Sequence, residues 1–345
     1  MLSDRIEAKW IDAFVTTFEA CKVDSSQTSI ILSETQSRDL SVHLAELALG
    51  RMGVQFYHIK VPTPRNDAPA ILRSTGTCLS LTGQDKAVEA LANVDFIVDL
   101  TLEGLMHAPQ TGTILKGGAR ILNISNEHPE MLERAMPDED LKMRTLDAAQ
   151  LCRKSGRMTV TSDAGTDLTV NMKGNNTVGV WGWTDKPGTL AHWPGGIVVS
   201  FPSAGSVNGR LVFQPGDMNL TFKKYFDDEV IFTLKDDYVI DIEGKGSDAK
   251  LMRNYLEAFG DKQAFATSHV GWGLNKGARY EALTMYDKGH INATELRAVA
   301  GNFLYSTGAN EFAGRLTQGH FDLPMMSCTI AVDDIVVVEN GKLSS

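Results

Sequence analysis

The periodicity of this chain changes near residue 150, and that switch limits the possible folds more than any other feature. Before it, short apolar runs alternate with stretches of helical spacing. Ile6, Trp10, Phe14 and Phe18 recur on one helix face behind a candidate Ser3-Asp4 cap, which predicts a helix to about residue 20. Strands are predicted over 29–32, 54–59, 95–100 and 119–124. Helices are predicted over 39–52 and 86–92, with a charged one centred on 141–152. Strands that alternate with helices imply an open, mainly parallel α/β sheet. After Arg157 the chain turns to short β-type runs separated by Gly, Asp, Asn and Pro: 158–161, 178–183, 197–201, 210–213, 228–234 and 238–242. Only 247–259 and 292–299 read as helices there. This is the pattern of a β-rich α+β region, largely antiparallel. The boundary falls near residues 150–157, which divides the chain into 1–153 and 154–345. The total of 345 residues suits two domains of roughly 150 residues each, and with no linker between them they should pack tightly.

Composition removes several classes of function. The formal charge of −10, from 33 Lys+Arg against 43 Asp+Glu, argues against a nucleic-acid partner. No apolar run approaches the roughly 20 residues that span a bilayer, so no membrane role is expected. The start of the chain lacks a signal-peptide core. Cys21, Cys78, Cys152 and Cys328 are scattered, with no C-x-x-C pair. Neither a disulfide framework nor a thiolate zinc site is expected, and the cytoplasm is the predicted location. The run Lys116-Gly117-Gly118-Ala119 precedes a strand, whereas a phosphate-cradling loop must follow one. No G-x-S-x-G or H-E-x-x-H pattern occurs.

That leaves the eight histidines. In His320-Phe321-Asp322 the imidazole and the carboxylate are two apart, so on an extended segment both face one side and can reach one ion. The alternative is a solvated His beside a turn-capping Asp. His269 sits at a predicted strand end that runs into Gly271-Trp-Gly273, where it is either a ligand or an edge His packed on Trp272. His192 and His107 lie in loops. His107 follows the strand ending at Leu100, and in open α/β sheets such loops line the crevice. Each could face a ligand or bond to backbone. His43, His58, His128 and His290 read as solvated or structural.

Four motifs go further. His192-Trp-Pro-x-Gly196, Ser268-His-x-Gly-Trp-Gly-Leu274, Gly301-Asn-Phe-Leu-Tyr-Ser-Thr-Gly308 and His320-x-Asp322 with Pro324 stand in an order and spacing that resemble the 2,5-dihydroxypyridine 5,6-dioxygenase family of nicotinate degradation. The likeness covers most of the chain and is strongest over 178–335. That family is similar in turn to the leucyl aminopeptidase T type of metallopeptidase, which holds two metal ions. Against the peptidase pattern, Ile197 stands where a ligand Glu belongs, His269 replaces another Glu, and 300–308 lacks the expected His. His320 and Asp322 survive. Too few carboxylates remain to bridge two dications. The resemblance thus implies His269, His320 and Asp322 as ligands of one Fe(II), the two-His, one-carboxylate set of non-haem oxygenases. It implies a dioxygenase that opens 2,5-dihydroxypyridine between C5 and C6 with O2 to give N-formylmaleamate. His192 would be the acid–base group, and His107 would anchor the 2-oxygen or the ring nitrogen. Met106, Trp193 and Thr307 would line the pocket, with the core as the alternative for Met106 and Trp193. A homo-oligomer is the family-level expectation. Two other readings stand beside this one: an aminopeptidase-like hydrolase and a non-catalytic metal or small-molecule binder.

Overall fold

The computed structural model describes residues 5–65 and 77–344. Ser3 and Asp4 lie outside them. The first helix, Ala8–Ala20, follows Glu7, which provides no side-chain cap, and buries Trp10, Phe14 and Phe18 along one face. Thr28–Glu34, Phe96–Asp99 and Arg120–Asn123 are almost wholly buried, as expected of strands covered on both faces by helices. With Gln55–Val61 they form a parallel sheet in the order Gln55–Val61, Thr28–Glu34, Phe96–Asp99, Arg120–Asn123.

A fifth parallel strand, Leu190–His192, completes this sheet and comes from well beyond residue 153. It pairs with Arg120–Asn123 in a register that sets His192 beside Asn123. Sequence reasoning left this strand out because it has only three residues, too few to show a period.

The rest of the chain forms two larger antiparallel sheets and a short two-stranded one. An eight-stranded sheet and a five-stranded sheet share one core, in which Val160, Leu168 and Phe232 meet Val270, Trp272 and Tyr305. The five-stranded sheet runs Phe321–Met325, Phe303–Thr307, Thr267–Gly273, Ile197–Phe201, Asn176–Val180. Side chains alternate along each strand. Because Val270, Trp272, Tyr305, Phe321 and Leu323 face the shared core, His269, Ser306 and Asp322 face away from it.

The helix expected over 292–299 is a single turn, Thr294–Arg297, entered through Ala293 in the left-handed region at φ 66°. Strands 303–307 and 321–325 carry Ser, Thr, Asp or Pro among their apolar residues, which hid them from a reading based on apolar runs. All four cysteines are free and buried. No described helix is long and apolar enough to cross a membrane.

Candidate active-site cleft

Strand register assembles the centre of the site. His269 is opposite Ser306 in one strand pair, and Ser306 is opposite Asp322 in the next. The three side chains therefore form a row across adjacent strands on the face turned from the core. Neighbouring strands are about 4.8 Å apart, so the outer two residues meet only because the middle one is small. Ser306 is that residue, and its hydroxyl donates to Asp322 Oδ1. His320, two residues before Asp322, joins the same face. Its Nε2 is 3.0 Å from Asp322 Oδ2, and His269 Nε2 is 3.7 Å from Oδ1. Phe201 packs edge-on against His269, with ring centroids 5.6 Å apart.

The charge state of this group follows from its surroundings. Burial opposes ionisation of Asp322, but Arg297, His320 and His269 outweigh it and hold the carboxyl well below the usual range. Arg297 Nε donates to Oδ2 at 2.5 Å. Burial pulls His269 down to about 3, so its ring is neutral at physiological pH. The Nδ1 atoms of His269 and His320 are buried and have no partner among the described residues.

Arg297 reaches the site on a segment braced against the α/β half. Glu127 Oε1 accepts the Thr294 N–H at 2.8 Å, and Arg134 bonds both Glu295 and the Tyr286 hydroxyl at 2.8 Å. Glu127 is 1% exposed, and burial raises it to about 7. Sequence reasoning missed Arg297, because a lone Arg in a short polar helix carries no local signal.

These groups form one wall of an open cleft of ≈ 850 Å³. The α/β half supplies the opposite wall, including Met106, His107, Asn123 and His192. His192 ends the fifth parallel strand, and His107 follows Phe96–Asp99, both at carboxyl ends of strands. Buried Asp99 shapes the loop before His107 by accepting the N–H groups of Thr101 at 3.0 Å and Leu105 at 2.7 Å. At Gly104, with φ +75°, a Cβ would collide with the Asn123 side chain, so only glycine lets this loop pass.

Each of the two imidazoles on this wall has a partner at Nδ1. His192 Nδ1 is 2.8 Å from the Pro194 carbonyl, which can only accept, so Nδ1 carries the proton. Burial lowers His192 to about 4, and the ring is neutral. His107 Nδ1 is 2.9 Å from Glu311 Oε1 of the β-rich half. Burial disfavours ionised Glu311, but His107 more than compensates and the carboxyl is lowered overall.

The remaining residues stand as follows. Trp193 backs the cleft but is 1% exposed; its indole donates to the Ala135 carbonyl and packs on Phe14, so it belongs mainly to the core. Thr307 does not line the cleft. It points the other way from Ser306, and its hydroxyl accepts the Phe321 N–H at 3.1 Å. The expectation was one residue out, and on a strand one residue is the opposite face. Gly271 is required by the main chain itself, since a Cβ there would strike the Val198 carbonyl. Of the histidines read as structural, His128 caps the helix Pro129–Arg134 and stacks on Tyr286.

A family model described as 2,5-dihydroxypyridine 5,6-dioxygenase matches residues 9–345. The chain belongs to the 2,5-dihydroxypyridine 5,6-dioxygenase family. It is 33% identical over 340 residues to the enzyme of that name from Pseudomonas putida strain KT2440, across 97% of this chain and 96% of the relative. A solved structure of 2,5-dihydroxypyridine dioxygenase from the same strain matches with a TM-score of 0.93 at 32% identity, over 99% of each chain. Wild-type AmpT from Thermus thermophilus matches with a TM-score of 0.62 at 12% identity, over 98% of this chain and 99% of that one. At that identity the likeness is one of fold alone.

The donor atoms of this group lie at separations comparable to those around a single metal ion. With metal–ligand bonds of about 2.1 Å, ligands at right angles stand about 3 Å apart, close to the 3.0 and 3.7 Å found here. Two neutral-capable imidazoles and an ionised carboxylate are also the right chemistry. Among the described residues no group of three or more His, Cys, Asp or Glu side chains is arranged so that it could hold a metal ion. Here both imidazoles address Asp322, and Arg297 occupies one of its oxygens. The residues supply the donor types such an ion takes, and a cation would have to replace their mutual contacts with bonds to itself.

Proposed function

We propose that the chain is an Fe(II)-dependent dioxygenase that opens 2,5-dihydroxypyridine between C5 and C6 to N-formylmaleamate. His269, His320 and Asp322 would hold the metal. The observation that carries this reading is the in-register row His269–Ser306–Asp322 with His320, facing a cleft whose other wall presents two histidines. Membership in the family supports the substrate. Bound Fe(II) would activate O2 and acidify a ring hydroxyl.

The protein's own part is to place and neutralise. The substrate has no vicinal diol, so binding through one oxygen leaves the ring free to rotate, and side chains must fix its orientation. The cationic Arg297 favours an anionic ring oxygen nearby. His192, neutral with its proton on Nδ1, offers the Nε2 lone pair to a ring hydroxyl. Val178, Val199 and Phe201 give the cleft an apolar side that suits a flat ring and limits water.

The test is to load the full chain with Fe(II) without oxygen, add 2,5-dihydroxypyridine, admit air, and follow O2 uptake and product mass. One O2 consumed per ring, with both oxygen atoms in the product, supports the proposal. Amino-acid release from peptides with zinc or cobalt and no O2 uptake would establish a hydrolase instead. Binding of iron and ring without turnover would establish a binding protein.

A further inference from the structure

We propose that Glu311 is a positioning residue for His107: its carboxylate keeps the ring proton on Nδ1 and leaves Nε2 as the acceptor for a substrate hydroxyl. The inference rests on the proposed reading of the cleft as the ring-binding site. It gives the pair His107–Glu311 a proton-holding role beside that of His192.

The two imidazoles of this wall have partners of different charge. The Pro194 carbonyl is neutral, so it fixes the tautomer of His192 but does little for a second proton on that ring. A carboxylate fixes the tautomer and also stabilises the imidazolium. Of the two imidazoles on this wall, only His107 has a carboxylate at Nδ1. Proton transfer to it is balanced: the ring O–H bond breaks, an N–H bond forms at Nε2, and the electron pair stays on the ring oxygen. No oxidant enters this step.

The pair is also held rigidly from both sides. Asn310, fully buried, donates from Nδ2 to the Pro202 carbonyl at 2.9 Å and accepts the Ala313 N–H at Oδ1. Paired main-chain bonds join Asn310 to Arg315, whose guanidinium holds Asp237 and the Thr267 carbonyl. The Glu311 turn is thus anchored on the β-rich half. The His107 turn is anchored separately by Asp99 on the α/β half. A 2.9 Å contact between two independently fixed turns needs little reorganisation when a proton arrives.

The decisive measurement is the tautomer of His107 by long-range 15N–1H NMR of the full chain with labelled histidine and no added iron. The signals are assigned by their loss in His107→Gln. Wild type should show Nδ1–H. Glu311→Ala should abolish that preference and lower kcat about 10²-fold, with a much smaller change in KM and unchanged iron content. Glu311→Gln keeps an acceptor oxygen without the charge, so it should restore the tautomer and only part of kcat. An Nε2–H tautomer in wild type, or an Ala variant with unchanged tautomer and kcat, overturns the proposal. Wild-type protein that never consumes the ring refutes the proposed function while the NMR result still decides the role of Glu311.

Discussion

The two walls of the cleft use the same side chain in opposite ways. On the β-rich wall, His269 and His320 turn Nε2 toward a carboxylate and leave Nδ1 buried and without a partner among the described residues. On the α/β wall, His192 and His107 have Nδ1 engaged and Nε2 unbonded among the described residues. The first arrangement gathers donors around one point, as a cation requires. The second fixes tautomers, as directed proton transfer requires. What distinguishes a ligand from a proton carrier here is the identity of the second partner of each ring, and the scaffold sets that partner. Antiparallel register builds the first pair, and strand-end loops build the second.

Several experiments would break or sharpen this contrast. The largest effect should come from Asp322→Ala, which removes the point on which the β-rich wall converges and strands Arg297. Metal affinity should fall by more than about 100-fold, and ring consumption should vanish, as read by metal analysis after reconstitution and by O2 uptake. Next is His192→Ala, expected to cost about 10²–10⁴ in rate while iron content stays near wild type. Loss of iron in that variant would erase the distinction between the walls. Ser306→Ala should cost about tenfold in metal affinity through the lost hydrogen bond to Asp322. Thr307→Val should leave both metal affinity and KM unchanged, which makes the pair a test of which strand face is used.

A separate effect concerns pH and lies away from the cleft. Burial, helped by Arg38, lowers His128 to about 4, against about 6.5 in the unfolded chain. Between those values the unfolded state binds more protons, so stability rises with pH and is lost as pH falls from 6.5 toward 4. His128→Asn keeps a cap for the Glu130 N–H. It should reduce the loss between pH 7 and pH 5 by about 2 kcal/mol, read from urea midpoints at the two pH values.

Sequence alone made the two-part architecture legible, because strand–helix alternation and short β runs are local patterns. His320 and Asp322 were legible for the same reason: a spacing of two on an extended segment shares a face. His269 could be joined to them only through family resemblance, since 51 residues separate it from His320 and their meeting depends on register. Arg297, Ser306 and Glu311 were not legible. Each acts through a contact made in three dimensions by an ordinary residue in an ordinary context. Thr307 shows how narrow the margin is, because the correct strand was chosen and the wrong face.

The strand Leu190–His192 makes each half depend on the other to complete its fold. It lies in the parallel sheet, yet the chain reaches it only after Arg157–Thr161, Asp167–Asn171 and Asn176–Val180 have joined the antiparallel sheets. A fragment ended at residue 153 would bare the hydrogen-bonding edge of Arg120–Asn123 and invite chain-to-chain pairing. The remaining fragment would carry an orphan strand with no sheet to enter. Any movement between the halves would have to carry that strand with the parallel sheet, so the segments on either side of it are the links that such a movement would bend.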